Sequence, residues 1–123
     1  MRRNGGDAAY LLDILQAAEA VARYISKKTQ DDFRRDEILR AALERRIEII
    51  GEAAGKVSEE FRNEHQDIPR QKIIATRHVL AHEYDEVNED IVWKIATVYV
   101  AKLAELVRPL IPPPPADPEP EAR

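Results

Sequence analysis

Leucine, isoleucine, valine and alanine recur at intervals of three and four along most of this chain, a period that leaves little room for anything but helices. From Asp7 to Lys28 the apolar positions are Leu11, Ile14, Leu15, Ala18, Val21, Ala22 and Ile25, one stripe down one helix. Asp7 is placed to cap its start, and Lys27 and Lys28 suit the negative end of its dipole. Thr29-Gln30-Asp31-Asp32 pairs a threonine with an acid three residues on, the pattern of a capping box. A second, longer helix is expected to run from there to about Phe61, with a stripe of Ile38, Leu39, Ala42, Leu43, Ile47, Ile50, Ala53, Ala54, Val57 and Phe61. Gly51 and Gly55 lie one turn apart within it, each costing up to about 1 kcal/mol relative to alanine. Close approach of another helix and a tolerated kink both account for them.

Asn63 to Ile68 is polar and turn-like, and Pro69 suits the first position of a third helix, where its missing N–H is not needed. That helix carries Ile73, Ile74, Val79 and Leu80. Asp85 to Asn88 reads as a break, with Asn88 capping a fourth helix whose stripe is Ile91, Ile95, Val98, Leu103 and Leu106, with Trp93 and Tyr99 adding aromatic bulk. Of eight prolines all but Pro69 fall between Pro109 and Arg123, so this tail is expected to be extended or disordered rather than helical. The reading is therefore all-α: an antiparallel four-helix bundle over residues 7–108 followed by a Pro-rich tail over 109–123.

A chain of 123 residues suffices for one modest core. It contains no cysteine, which rules out disulfides, thiolate metal sites and cysteine nucleophiles and fits a reducing cytoplasm. No stretch approaches the roughly 20 uninterrupted apolar residues of a membrane helix. Met1 to Asp7 has no apolar segment behind its arginines and reads as a disordered lead-in, not a secretory signal. The net charge is −4, the opposite of what broad phosphate neutralisation requires, so any basic surface must be local. One such run exists: between Arg70 and His82 lie Arg70, Lys72, Arg77, His78 and His82 with no acid, and directly after come Glu83, Asp85, Glu86, Glu89 and Asp90. Ordinary solvated helix ends account for both runs equally well.

No glycine-rich phosphate loop, His-Glu-x-x-His motif or serine with a nearby base is present, and Ser26 and Ser58 read as surface residues. His78 and His82 are four apart, a metal-ligand spacing, for which Glu83 or His65 would have to supply a third ligand; chance produces this spacing often. Arg77, His82 and Tyr84 form a second grouping. Cleaving RNA without metal needs a base for the 2′-hydroxyl, an acid for the leaving oxygen, and positive charge where negative charge builds on phosphorus. Histidine supplies the proton transfer near neutrality, and arginine holds a phosphate with a planar fork. At ~100° per residue, however, positions five apart lie about 140° apart around a regular helix. Arg77 and His82 therefore face one substrate only if the helix unwinds or two chains combine. By chemistry alone, the simpler reading is a helix end with Arg77 in a salt bridge, His82 half-buried and Tyr84 packed.

The order Arg-x-x-x-x-His-x-Tyr from Arg77 to Tyr84 resembles the motif of HepT proteins, the toxin half of a two-gene toxin–antitoxin module within the wider HEPN group of helical nucleases. Asp13-Ile14-Leu15, Ile49-Ile50-Gly51-Glu52-Ala53 and Ile91-Val92-Trp93 are similar to HepT in the same order, so the resemblance spans about residues 10 to 107. It implies a homodimeric, metal-independent endoribonuclease with its active site at the subunit interface and no cofactor. Arg77 and His82 would be the catalytic pair, and His78 the polar position that often follows the arginine. The implied partner is a minimal nucleotidyltransferase antitoxin of the MntA type, which transfers AMP from ATP to the motif tyrosine, here Tyr84. A bulky anionic group there would exclude RNA phosphate by charge and volume. In one departure, Arg70 stands where the family commonly has tryptophan after Ile-Pro. Two rivals remain from the residues themselves: a non-catalytic helical module that docks on a nucleotidyltransferase, and a helical scaffold with no nucleic-acid role.

Overall fold

A computed structural model of the chain describes residues 3–68 and 89–112, and every regular element among them is helical. Helix α1 spans Arg3–Ile25, α2 Gln30–Arg35, α3 Glu37–Lys56, α4 Glu59–Glu64, α5 Glu89–Lys94 and α6 Val100–Val107. A π-helical turn, Ile95–Tyr99, joins α5 to α6, and a 3₁₀ turn, Arg108–Leu110, follows α6.

α1 lies between α3 and the α5–α6 rod and packs on both. Side-chain bonds set the directions. Near the end of α1 the Tyr24 hydroxyl accepts from Arg46 Nε at 3.3 Å, while near its start Asp7 accepts from the Ser58 amide just beyond α3. α3 therefore runs antiparallel to α1. The start of α5 meets α2, just past the end of α1, and Arg108 returns to Glu19 at 3.5 Å, so the last rod is antiparallel to α1 as well. The core between the rods is aliphatic: Leu11, Ile14 and Val21 of α1, Leu43, Ile47 and Ile50 of α3, and Val92, Val100, Leu103 and Val107 of the last rod. These three rods have the directions expected of an antiparallel bundle. The third helix expected after Pro69, and the Asn88 cap, lie outside the described residues, as does the tail beyond Pro112.

Several expectations give way to local detail. The first helix begins at Arg3, not Asp7; Met1 and Arg2 lie outside the described residues. Asp7 instead sits inside α1 with its carboxylate across the interface, accepting from the Ser58 amide at 2.8 Å and from Ser58 Oγ at 2.7 Å. Ser58, read from sequence as a surface residue, is half-buried and is the N-cap of α4, its Oγ accepting from the Phe61 amide.

The single long second helix is three. α2 stops at Asp36, whose extended backbone (φ −109°, ψ 98°) lets its side chain cap α3 by accepting from the Leu39 amide at 3.0 Å. The exposed carbonyls at the end of α2 are taken by Arg40, which donates to the Phe33 and Arg34 oxygens. α3 ends in turn at Val57, where the chain extends (φ −66°, ψ 152°) into the Ser58 cap. Within α3 the stripe runs through Leu39, Leu43, Ile47, Ile50 and Ala54, and Ile38, one residue off it, is 81% exposed. Gly51 is on the buried face and Gly55 is exposed.

The last rod buries Val92, Ile95, Ala96, Val100, Leu103, Ala104 and Val107, leaving Ile91 and Val98 half-exposed instead of in the stripe. The buried set keeps the helical spacing of three and four, but with Val92 rather than Ile91 turned inward, so Ile91 and Val98 fall on the opposite side. The rod contains the π turn, closed by a backbone bond from Val100 N–H to Ile95 O. Finally, Pro109 ends the α-helix but not the ordered backbone: it sits early in the 3₁₀ turn, where no N–H is needed, and Leu110 and Ile111 pack against the core.

The capping box does form at Thr29: its Oγ1 accepts from the Asp32 amide at 3.0 Å and its amide donates to Asp32 Oδ2 at 2.9 Å. The Thr29 N–H held against the carboxylate keeps Asp32 below the usual carboxylate range. A depressed folded pKa contributes stability above the unfolded value, and that contribution is lost as pH falls through the folded one. Asp32→Asn is therefore expected to lower the thermal midpoint at neutral pH, and the gap to wild type should close on acidification to below the usual carboxylate range. Melting curves for both proteins across that interval check it. A gap that stays constant would show the carboxylate's charge to be unimportant.

Candidate functional site

Arg77, His78, His82 and Tyr84 all fall within residues 69–88, outside the described residues, as do the basic run from Arg70 and Glu83, the suggested metal ligand. What the structure supplies is the frame on either side of that segment. On the N-terminal side the chain arrives through α4, whose C-cap is His65; its imidazole lies against the Phe61 ring with centroids 4.3 Å apart. Ile68, the last described residue before the segment, packs partly against the core.

On the C-terminal side the chain resumes at α5, and Asp90 ties that start to α2. Its Oδ1 accepts from Gln30 Nε2 at 2.6 Å and from Arg34 Nη2 at 2.7 Å. Both charged side chains are about half-exposed or more, so solvent screens the pair and its energetic worth is small. Below it the contact is apolar and stronger. Phe33, fully buried, meets Trp93 with ring centroids 5.4 Å apart at 40°. One turn on, Thr97 Oγ1 donates to the Trp93 carbonyl at 2.8 Å, and Lys94 stands over the Tyr99 ring at 5.9 Å. The motif segment is thus bracketed by a short helix packed on the core and by a rod bolted to α2.

Little in the sequence signals this bracket. Phe33 is flanked by Asp32, Arg34 and Arg35 and has no apolar stripe of its own, so periodicity does not single it out. Its one signal was composition: it is one of two phenylalanines, set just inside a capping box. Asp90 belonged to an acidic run read as solvated, and its pairing with residues 56 and 60 positions away has no local signature. His65, raised as a third metal ligand, is engaged with Phe61. Among the described residues no group of three or more histidines or acids is arranged to hold a metal ion, and no helix is long and apolar enough to cross a membrane.

Each of the segments similar to HepT contributes to the core: Ile14 in α1, Ile50, Gly51 and Ala53 in α3, and Val92 in α5 are buried, while Asp13, Glu52 and Ile91 are exposed. Comparison with known proteins covers the same stretch. The model of a family described as "Ribonuclease HepT-like" matches residues 14–110, which include the segment from Arg77 to Tyr84. A protein of Caldanaerobacter subterraneus subsp. tengcongensis named "Putative RNase" is 34% identical over 102 residues, 83% of this chain and 91% of that protein. A "Probable ribonuclease HepT" of Thermococcus cleftensis is 33% identical over 94 residues, 76% of this chain and 84% of the relative. A longer protein of Methanocaldococcus jannaschii, "Gamma-glutamylcyclotransferase and putative RNase", is 36% identical over 96 residues; the match spans 78% of this chain but 43% of that protein. No solved structure matches.

Proposed function

Because the chain belongs to the ribonuclease HepT-like family, we propose that it is an endoribonuclease toxin, active as a cytoplasmic homodimer and silenced by a nucleotidyltransferase antitoxin. The observation that carries this is the extent of the family match: it reaches all three helical rods and runs across the segment holding Arg77, His82 and Tyr84. The catalysis needs no metal. One histidine accepts the 2′-hydroxyl proton as that oxygen attacks phosphorus, and the 5′-oxygen leaves with a proton from the second acid–base group. Arginine holds the phosphoryl oxygens as charge grows on them. The products are a 2′,3′-cyclic phosphate and a 5′-hydroxyl.

In this reading Arg77 binds the phosphate, His82 carries the proton, and His78 supports them from the adjacent position. Two Arg77/His82 pairs meet across the dimer axis, which removes the angular conflict of a five-residue spacing on one helix. Tyr84 is the control point. Its phenolic oxygen attacks the α-phosphorus of ATP, pyrophosphate leaves, and the AMP ester places bulk and negative charge beside the arginine.

Co-expression with an MntA-like nucleotidyltransferase tests the regulatory half. The expected result is a gain in intact mass of one or more AMP units together with loss of RNA cleavage, and both changes should vanish in Tyr84→Phe. Cleavage that persists in the AMP-bearing protein would defeat the proposed mode of silencing. The purified chain alone, incubated with RNA in the presence of a chelator, tests the catalytic half. Cleavage is expected, and its absence would favour a non-catalytic module that merely docks on the nucleotidyltransferase.

A further inference from the structure

One cavity lies beside α4, the short helix that leads to the motif segment. It has a volume of about 220 Å³ and opens between α1, the end of α3, α4 and α6. Ile14, Val57 and Leu103 form part of its apolar wall, and Phe61 closes one side. This is more space than the roughly 150 Å³ engineered cavity that stays dry and takes up benzene.

The cavity is not apolar all round. Arg62, His65 and Gln66 line its α4 side, and no carboxylate is among the described residues that line it. The exposed Arg62 guanidinium has no hydrogen-bond or ion-pair partner among the described residues. Gln66 points an amide donor at the Asn63 carbonyl, 3.3 Å away. Small-molecule sites combine an apolar pocket with a few polar groups that fix orientation, and here the group with charge to spare is a single cation.

We propose that this cavity is a binding site for a small amphiphilic carboxylate, with a medium-length acyl or single-ring aryl tail in the pocket and its head on Arg62. The single guanidinium matches a singly charged head, and its fork takes both carboxylate oxygens. Arg62 lies in the short helix that leads toward the motif segment, so occupancy would be felt at that bracket.

Titration of the full chain with octanoate and with octanol, followed by amide chemical shifts, is the test. Octanoate should bind saturably, with the largest shifts at Ile14, Val57, Phe61 and Leu103, and octanol should bind about tenfold more weakly. Arg62→Gln, an exposed change that leaves the core intact, should reduce octanoate to the level of octanol. Ala54→Leu, which fills the cavity from α3, should weaken both ligands. Equal affinity for octanoate and octanol, unchanged octanoate binding in Arg62→Gln, or no saturable binding would each overturn the proposal. The titration reads binding alone and is independent of whether the chain cleaves RNA.

Discussion

His82→Ala is expected to lower RNA cleavage by about 10²–10⁴-fold, the range for removal of a positioned acid–base group. Arg77→Ala should have a comparable effect, because it removes the charge that offsets the developing negative phosphoryl oxygens. Arg77→Lys should remain impaired, since a point charge does not reproduce the planar fork. Growth on expression gives an independent readout: the wild-type chain alone should be toxic, and both alanine variants should relieve the toxicity. Mixing the two inactive variants tests the dimer. If Arg77 of one subunit works with His82 of its partner, the mixed dimers contain one intact site and recover part of the activity. If each subunit is self-sufficient, mixing recovers none. Full activity in His82→Ala would remove the residue from the mechanism altogether.

The second large effect concerns stability. Phe33→Ala should cost about 3–5 kcal/mol, as deletion of a fully buried ring does when neighbours relax only in part. Against a typical total of about 5–15 kcal/mol this is a large fraction, and it corresponds to a fall of more than about 12 °C in thermal midpoint for a domain of this size. The ring is the buried contact between α2 and the α5 rod, so the loss should appear first as weaker protection of the α5 amides in hydrogen exchange. Ile38→Ala is the control. Its side chain is 81% exposed and should change stability by no more than about 0.5 kcal/mol. A similar cost for the two substitutions would mean that Phe33 does not anchor α2.

Much of this is legible in the amino-acid sequence. The period of three and four placed α1, the body of α3 and the last rod, because burying an apolar stripe requires those spacings whatever the partner is. Thr29 to Asp32 announced its capping box, since both bonds are made within four residues. The stretch from Arg77 to Tyr84 is a candidate site by residue type and order alone, and its assignment rests on chemistry and family membership. Where the structure departs from the local pattern, a distant partner is involved. Asp7 has the residue type and place of a local cap but is bonded to Ser58, 51 positions away. The second helix was read as continuous because Asp36 and Ser58 look like ordinary polar residues until their side chains turn to cap the next helix. Ile91 and Val98 share a helical stripe with Ile95 and Leu103, but the rod packs on the neighbouring stripe that starts at Val92, a choice that periodicity alone leaves open.

What the amino-acid sequence determined by itself is therefore the local layer: the helical class, the capping box at Thr29 and the chemical kit of Arg77, His82 and Tyr84. Only the tertiary structure decided which of two adjacent apolar residues turns inward, where a long helix breaks, and that Phe33, Gln30 and Arg34 hold the start of α5. The reason is physical. Helical period and caps are fixed by bonds between residues a few positions apart, whereas burial and pairing across 50 or more positions depend on how the rods meet. The same division marks the spacing of three and four on which this chain was first read: it establishes that rods form, and the packing of α1 between two antiparallel partners establishes which side of each rod is the inside.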